Sequence, residues 1–425
     1  MATIHKSDCL FLDNNTPSFR HHFFIPQHKG QDVRYFCGNS LGLQPKNTPA
    51  YVQEELLKWQ EFGVEGHFHA VNPWKSYELL VNEQSAELVG ALPHEVVVMN
   101  SLTVNLHLFM LSFYRPFGRR RKILIESDAF PSDRYAVHSQ VRLYGLDPSC
   151  VVEVAPREGE HLLRTEDLIQ TIEQLDEELA LVMLSGVNYY TGQFYNMPEI
   201  TKAGHRVGAR VGFDLAHAAG NTLMHLHEWE VDFAVWCTYK YLNSGPGGVA
   251  CAFVHEKHHQ KPGIPRLEGW WGHNPLTRFK MPKQFEPAPT AEAWQLSNVP
   301  ILLMAAYRAS LDVFKAAMPM SNLHEKSRML TRTMETLVRA FSQEQHAVNV
   351  QILTPTAEEE RGCQLSLVFD KHGREIHQYL SQNGVVTDWR EPDVVRVAPV
   401  PLYNTFEDVY AFYEALHQAV KDLRL

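Results

Sequence analysis

Short apolar runs recur along the first two thirds of the chain, and each ends in a polar or small residue before a stretch with helical spacing. In chain order they cover residues 96–99, 123–125, 181–184, 211–213, 233–236 and 249–254. Continuous apolar strands of this kind are buried on both faces, which is typical of a mostly parallel sheet covered by helices. The pattern predicts an α/β fold whose ligand site lies beyond the carboxyl ends of the strands.

The pattern changes near residue 297. A long helical stretch covers about residues 301–341, and shorter apolar and helical windows then alternate at 349–353, 363–369, 374–380, 394–398 and 406–423. This alternation predicts a smaller α/β domain of the split type. We therefore expect an N-terminal arm that packs on the large domain, a large domain and a small C-terminal domain, at residues 1–50, 51–310 and 311–425.

Composition excludes several classes of protein. The net charge of −10 argues against nucleic acid and anionic membranes as partners, because both require clustered Lys and Arg. The six cysteines are scattered without a C-x-x-C pair, which suits free thiols better than a disulfide framework. The N-terminal residues lack the continuous apolar region of a signal peptide, and no segment has the apolar length of a membrane span. These features predict a cytoplasmic protein.

The 23 histidines make a metal site the first idea to test. The densest groups are His255, His258 and His259, and the run from His225 to Glu228. Neither group has cysteine or carboxylate partners at the spacing of known metal motifs. We therefore expect surface histidines and no metal site.

Lys240 follows the apolar run 233–236 and precedes a glycine-rich segment at 245–248. At that place a lysine projects into the cleft, where it can be held partly neutral and attack a carbonyl to form a Schiff base. The segment is not a phosphate-binding P-loop, since no Gly-Lys-Ser/Thr closes it. The alternative is an ordinary surface lysine, and Lys240 taken by itself favours that alternative.

Asp214 and Thr103 also follow apolar runs. A carboxylate buried at a strand end needs a cationic partner, and a protonated pyridine nitrogen is such a partner. A helix N-terminus that carries Ser101 and Thr103 offers N–H and hydroxyl groups to an anion such as a phosphate. Both positions have an alternative explanation as helix caps, with Asp214 capping a helix that begins at Leu215. Together with Lys240 they predict a pyridoxal phosphate site along one sheet edge.

Eight segments, spread over nearly the whole chain, carry a more specific resemblance. They are 38–45 (GNSLGLQP), 102–105 (LTVN), 130–133 (FPSD), 214–217 (DLAH), 239–240 (YK), 269–273 (GWWGH), 296–298 (LSN) and 395–404 (VRVAPVPLYN). In the order and the residues of these segments, the sequence resembles the fold-type-I pyridoxal phosphate enzymes, in particular the kynureninases. The resemblance implies a homodimer with shared active sites and hydrolysis of L-kynurenine or its 3-hydroxy form, in tryptophan catabolism and NAD biosynthesis.

The resemblance also implies roles for individual residues. Lys240 would carry the cofactor as a Schiff base, and Tyr239 would contact the phosphate and donate a proton. The other cofactor contacts implied are Leu102, Thr103, Phe130, Asp133, Ser185, Asp214 and His217, with Trp270 and Asn298 reaching a neighbouring subunit's site. Arg396 would bind the substrate α-carboxylate, which suits its planar bidentate donor. His67, Asn298 and Ser40 would lie around the substrate's aromatic ring.

Three alternatives remain open at this point. A cysteine desulfurase needs a mobile nucleophilic cysteine and usually has histidine before the Schiff-base lysine, where this chain has Tyr239. Cys363 lies in a strand-like run and is expected in the core. An aminotransferase would form an oxo acid, and a non-catalytic scaffold would keep the fold without the chemistry.

Overall fold

The larger part of the molecule is built around a seven-stranded sheet. The computed structural model describes residues 4–345 and 347–425. In spatial order the strands are Val96–Val98, Ala250–Val254, Phe233–Cys237, Arg210–Asp214, Leu179–Ser185, Lys122–Glu126 and Val151–Val154. Six of these strands run in the same direction, and Ala250–Val254 runs in the opposite direction. The predicted α/β fold with a large, mostly parallel sheet is confirmed.

The strands are buried on both faces because their side chains alternate between two apolar clusters. Val182 and Leu184 belong to one cluster, whereas Leu181 and Met183 belong to the other. This is the period of two that a pleated strand imposes. The strand Val151–Val154 was not predicted, because Glu153 interrupts its apolar run and the strand lies at the exposed edge of the sheet.

The α-helices cover the sheet and connect its strands. Within the described residues they are Lys6–Asn15, Thr48–Phe62, Asn82–Glu87, Leu102–Phe113, Pro131–Leu143, Thr165–Leu175, Met197–Arg206, Ile301–Ala317, Met320–Glu344, Gly373–Gln382 and Phe406–Leu423. The stretch predicted as one helix at 301–341 is two helices, because Pro319 lies between them and has no N–H to continue the first. None of the helices in the described residues is long and apolar enough to cross a membrane.

A second, four-stranded sheet occupies the C-terminal part. Its spatial order is Val350–Ile352, Leu365–Phe369, Val394–Val397 and Asp388–Arg390, and every neighbouring pair is antiparallel. Asp388 and Arg396 are directly opposite each other in this sheet. The strand Asp388–Arg390 was not predicted, since it has three residues and only one of them is apolar. The boundary expected at residue 310 stays a prediction.

The N-terminal segment contacts residues of the large-sheet region and of the C-terminal part, and its expected packing on the large domain stays a prediction. The Asp13 carboxylate accepts hydrogen bonds from the backbone N–H groups of Phe406 and Glu407 at 2.8 and 2.9 Å, and so caps the C-terminal helix. Arg34–Tyr35 pairs with Val385–Val386 in a small parallel sheet. Further along, the N–H of Gly42 donates to the carbonyl of Tyr239 at 2.8 Å. In the first helix, Cys9 belongs to the same apolar cluster as Phe412 and Leu416 of the C-terminal helix.

Candidate active site

Polar residues from three neighbouring strands meet at the carboxyl edge of the large sheet. Ser185 and Asp214 end adjacent strands and are register partners, and Lys240 follows the next strand by three residues. A cavity at this edge is lined by nine of the predicted residues: Leu102, Thr103, Phe130, Asp133, Ser185, Asp214, His217, Tyr239 and Lys240. The strand-end rule for α/β sheets therefore locates the cavity.

Lys240 lies inside this cavity rather than on the outer surface. Its Nζ is 3.1 Å from Nε2 of His217 and 5.8 Å from the ring centroid of Phe130. Burial and the cationic Lys240 lower the pKa of His217 well below its ordinary value, so the imidazole is neutral and Nε2 accepts the hydrogen bond. Nδ1 of His217 then carries the proton, and it has no hydrogen-bond partner among the described residues.

Asp133 and Asp214 form a buried, hydrogen-bonded carboxyl pair in the same cavity. Burial raises the pKa of both groups, and the hydrogen bond to Asp214 together with its charge raises that of Asp133 further. Two such neighbours cannot both ionise in a low dielectric, so Asp133 keeps the proton. Oδ1 of Asp133 has no hydrogen-bond partner within the described ranges.

The alternative explanation of Asp214 as the cap of a helix at Leu215 is wrong. Residues 216–221 form turns and no helix. The Asp214 carboxylate accepts the N–H of Ala216 at 2.7 Å, which closes a turn of the Asx kind. This bond uses one carboxylate oxygen and leaves the other for Asp133 or for a ligand.

Two helices begin at the cavity, Leu102–Phe113 and Pro131–Leu143. Ser101 precedes the first of them but makes no side-chain cap bond, so it does not engage the first-turn N–H groups. Oγ1 of Thr103 and Oγ of Ser132 lie 2.7 Å apart between the two helix starts. The N-termini, with these two hydroxyls, form a site for an anion. Ser132 was not predicted as a site residue, although it lies in the segment 130–133.

Ser185, Tyr239 and Phe130 complete the walls. Ser185 donates its backbone N–H and its hydroxyl to the buried carboxylate of Glu126, at 3.2 and 2.5 Å. Burial raises the pKa of Tyr239, so its phenol is a proton donor at neutral pH. The Phe130 ring packs edge-on against Tyr189 with centroids 5.1 Å apart. Tyr189 lines the cavity and was also missed, since it lies in a loop after the strand end.

Arg396 lies next to this cavity and is 1% exposed. Its Nη1 donates to the carbonyl of Tyr189 at 2.8 Å, and its Nη2 donates to Oγ of Ser40 at 3.2 Å. Its Nε donates to Asp388 at 3.2 Å. The structure thus brings the predicted residues Arg396 and Ser40 together. Neither of them is among the residues that line the cavity, and Arg396 adjoins it through the carbonyl of Tyr189.

His67, Trp270 and Asn298 do not line the cavity. Trp270 is 51% exposed, Asn298 is exposed, and the His67 ring packs edge-on against Trp74 at 5.2 Å. All three belong to one surface region, because Phe68 and Trp270 both contact the Phe279 ring, and the N–H of Trp271 donates to the carbonyl of Leu296. We call the exposed rings of Phe68, Trp270 and Phe279 the aromatic patch.

The histidine groups were expected at the surface, and for three members this is wrong: His255, His258 and His259 are buried. Nε2 of His258 binds Asp232 at 2.6 Å, and Nε2 of His259 binds the carbonyl of Val254 at 2.9 Å. The rings of His227 and His255 stack with their centroids 5.0 Å apart. One ring nitrogen of each lies close to a carboxylate oxygen of Glu95, so the three side chains form a cluster of potential metal ligands. The Glu95 carboxylate already accepts N–H bonds from Leu92 and Glu256, which explains the cluster as a polar link between loops.

Similarity to known proteins extends over nearly the whole chain. The family described as the kynureninase C-terminal domain matches residues 323–416. The kynureninase of Flavobacterium psychrophilum is 51% identical over 412 residues, which are 96% of this chain and 96% of that protein. The chain belongs to the kynureninase family. Kynureninases of Myxococcus xanthus and Nematostella vectensis are 53% and 46% identical, over 92% and 97% of the chain and 91% and 93% of those proteins.

Solved structures outside the kynureninases share the fold. A mutant of C-DES with glycine covalently linked to the PLP cofactor has a TM-score of 0.75 at 19% identity, covering 94% of this chain and 99% of that one. The apo cysteine desulfurase of Thermococcus onnurineus also has a TM-score of 0.75, at 18% identity, with 92% and 95% covered. At these identities the likeness shows the fold alone.

Proposed function

We propose that this member of the kynureninase family is a pyridoxal phosphate-dependent hydrolase. It cleaves the Cβ–Cγ bond of L-kynurenine or 3-hydroxy-L-kynurenine, giving L-alanine and anthranilate or 3-hydroxyanthranilate. The observation that carries the proposal is the cavity in which Lys240, the Asp133–Asp214 pair and two helix N-termini meet. Near-full-length identity of about 50% to curated kynureninases supports the same activity.

The cavity residues fit the chemical groups of pyridoxal phosphate. An aldehyde requires a primary amine, which is Lys240. A protonated ring nitrogen requires a carboxylate, which is Asp214, and a phosphate requires N–H and hydroxyl donors, which the helix starts and Thr103 offer. The unpartnered atoms Oδ1 of Asp133 and Nδ1 of His217 call for a polar ligand in the same space.

The chain's own groups supply positions and protons. When bound, pyridoxal phosphate supplies an electron sink that stabilises negative charge at the substrate carbons. Asp214 would hold the proton on the ring nitrogen, and the amine of Lys240 would accept the proton from Cα and return one to Cα before L-alanine leaves. Water adds to the aryl ketone, the Cβ–Cγ bond breaks with release of the anthranilate, and the hydroxyl of Tyr239 donates a proton to Cβ. Arg396 orients the α-carboxylate and thereby the Cα–H bond that breaks.

Of the alternatives, a desulfurase is disfavoured by the one cysteine considered as its nucleophile. Cys363 is fully buried, and burial raises the pKa of its thiol to about 12. A nucleophilic cysteine needs a thiolate that can reach the substrate. Cys363 also lies in the apolar core, where its N–H is bound by Asn221 at 2.9 Å.

The proposed activity is tested by steady-state hydrolysis of L-kynurenine and of its 3-hydroxy form by the holoenzyme. We expect equal amounts of L-alanine and the aromatic product, with no oxo acid. Replacing His67 with Trp and Asn298 with Thr should shift the ratio of kcat/KM for the two substrates by about tenfold, because these residues are proposed to contact the ring. An unchanged ratio would mean that His67 and Asn298 do not contact the ring. Release of sulfide from cysteine would indicate a desulfurase instead of a kynurenine hydrolase, and release of an oxo acid would indicate an aminotransferase.

We further propose a cytoplasmic homodimer with shared active sites. The aromatic patch supports a dimer, because exposed rings that pack on one another are typical of an interface. Trp270 and Asn298 lie outside the cavity of their own chain, so a role at a phosphate site requires a neighbouring subunit. Met281, which is 71% exposed, lies beside Trp270 in a surface cavity and adds to the exposed apolar area.

Shared sites predict that two inactive variants complement each other. Lys240→Ala removes the lysine of its own cavity, and Trp270→Ala removes the residue that each chain lends to its neighbour. Mixed under conditions that allow subunit exchange, they should regain about a quarter of the wild-type activity, because half of the dimers are mixed and each contains one intact site. The control is the mixture of Lys240→Ala with itself. No gain despite mixed dimers detected by mass would mean that each subunit builds its own site.

A further inference from the structure

Asp388 has no role in the proposed mechanism, yet it is the partner of Arg396. The two residues are directly opposite on antiparallel strands. Nε of Arg396 donates to Oδ1 of Asp388 at 3.2 Å, and Nη2 lies 2.9 Å from Oδ2. The side chains are 1% and 11% exposed, so this is a buried ion pair held by the sheet register.

We propose that Asp388 is the positioning residue of the carboxylate clamp, holding the guanidinium of Arg396 by Nε and Nη2 so that the free N–H group of Nη1 faces the substrate α-carboxylate. The inference rests on the proposed function, in which Arg396 binds that carboxylate. It concerns orientation, because Asp388 itself does not touch the substrate.

The hydrogen bonds of Arg396 support this assignment. A guanidinium has five N–H groups. One on Nε is bound by Asp388, one on Nη2 by Ser40 and one on Nη1 by the carbonyl of Tyr189. Nη2 also lies 2.9 Å from Oδ2 of Asp388, so within the described residues the N–H group that remains for a ligand is one on Nη1. Asp388 therefore occupies the Nε and Nη2 side of the guanidinium and leaves the Nη1 side for a ligand.

The surrounding charges fit one additional carboxylate. Arg390 also pairs with Asp388, with Nε 2.9 Å from Oδ1, and the hydroxyl of Ser40 donates to Oδ2. Burial raises the pKa of Asp388, but the charge and hydrogen bond of Arg396 outweigh it, so the pKa lies below its ordinary value and the group stays ionised. Two guanidiniums and one carboxylate carry a net charge of +1, which one substrate α-carboxylate brings to zero.

Positioning and mere neutralisation predict opposite results for Asp388→Asn. If Asp388 only neutralised charge, its removal would leave the site more positive, and carboxylates would bind more tightly. If it holds the guanidinium in place, the variant keeps the shape of the side chain but loses the ion pair, and carboxylates bind more weakly despite the added positive charge.

The experiment compares two probes that differ only by the carboxylate, L-alanine and ethylamine, bound to the holoenzyme and followed by the change in cofactor absorbance. For Asp388→Asn we expect the dissociation constant of L-alanine to rise about tenfold or more, while that of ethylamine changes less than about twofold. The KM for L-kynurenine should rise in parallel. Asp370→Asn is the control, since Asp370 is an exposed carboxylate at the end of another strand of the same sheet and binds the N–H of Asn349.

Tighter or unchanged binding of L-alanine overturns the positioning role, and so does an equal loss for both probes, which indicates general damage. The probe titration does not require kynurenine hydrolysis. If the wild-type protein binds L-alanine, the Asp388→Asn variant binds it more weakly, and neither hydrolyses kynurenine, then the proposed function is refuted while the positioning role of Asp388 is retained.

Discussion

Replacing Lys240 with alanine is expected to lower kcat for kynurenine hydrolysis by at least about 10³-fold, because this one residue is proposed both to carry the cofactor and to move the Cα proton. Lys240 lines the cavity with its amine 3.1 Å from Nε2 of His217, and no other lysine is among the residues that line it. A neighbouring side chain therefore cannot take over either task.

The chemical signature of Lys240 separates this loss from unfolding. Borohydride treatment of the wild-type holoenzyme should fix the cofactor covalently to the peptide that contains Lys240, and mass spectrometry should find no such adduct in the Lys240→Ala protein. Lys202→Ala is the matched control, since that lysine is exposed and pairs only with Glu199. An active Lys240→Ala protein, or an adduct on a different lysine, would refute the assignment of the cavity.

Residues that follow strands were predicted well because their position depends on local sequence. Lys240, Asp214 and Ser185 each stand at the end of an apolar run, and a parallel sheet brings such ends to one edge. The strand register then decides which of them meet, and register is set by the same apolar pattern. The core of the site therefore follows from the order of strands and polar residues.

Residues fixed by long-range packing were harder to predict. Ser132 and Tyr189 belong to the cavity because a helix start and a loop lie against it, and no periodicity marks such a contact. The buried histidines were missed because their partners, Asp232 and the carbonyl of Val254, become visible only when the chain is folded. These histidines were expected at the surface because histidine is polar, but a neutral imidazole that has one good hydrogen-bond acceptor can be buried at low cost.

A third group has proposed roles that no contact within one chain explains. His67, Trp270 and Asn298 lie together on one face, outside the cavity of their own chain. Their proposed roles come from resemblance and cannot be derived from the geometry of a single subunit. Asp388 shows the opposite case, because its partner Arg396 was recognised from a motif while the short strand that carries Asp388 was not.

Asp214→Asn is expected to lower kcat by about 10³-fold, because the variant loses the charge that is proposed to hold the proton on the cofactor ring nitrogen. The substitution keeps the local structure, since an asparagine side chain can still accept the N–H of Ala216, which Asp214 binds at 2.7 Å. Asp147 makes the same kind of contact with the N–H of Ser149 at 2.9 Å, outside the cavity, and Asp147→Asn is the control that should retain full activity.

The stability of the cofactor-free protein should move in the opposite direction. Burial raises the pKa of Asp133 and Asp214 in the folded state, so the stability that protonation contributes is complete below the ordinary carboxyl pKa of about 4 and is lost as the pH rises through the raised values. Asparagine at 214 removes one of the two ionisable groups. The cofactor-free Asp214→Asn protein should therefore have a Tm at pH 7.5 at least as high as that of the cofactor-free wild type, with a weaker dependence on pH. A lower Tm together with the lost activity would mean that Asp214 is needed for the fold, whereas a normal Tm with full activity would mean that the ring nitrogen has another partner.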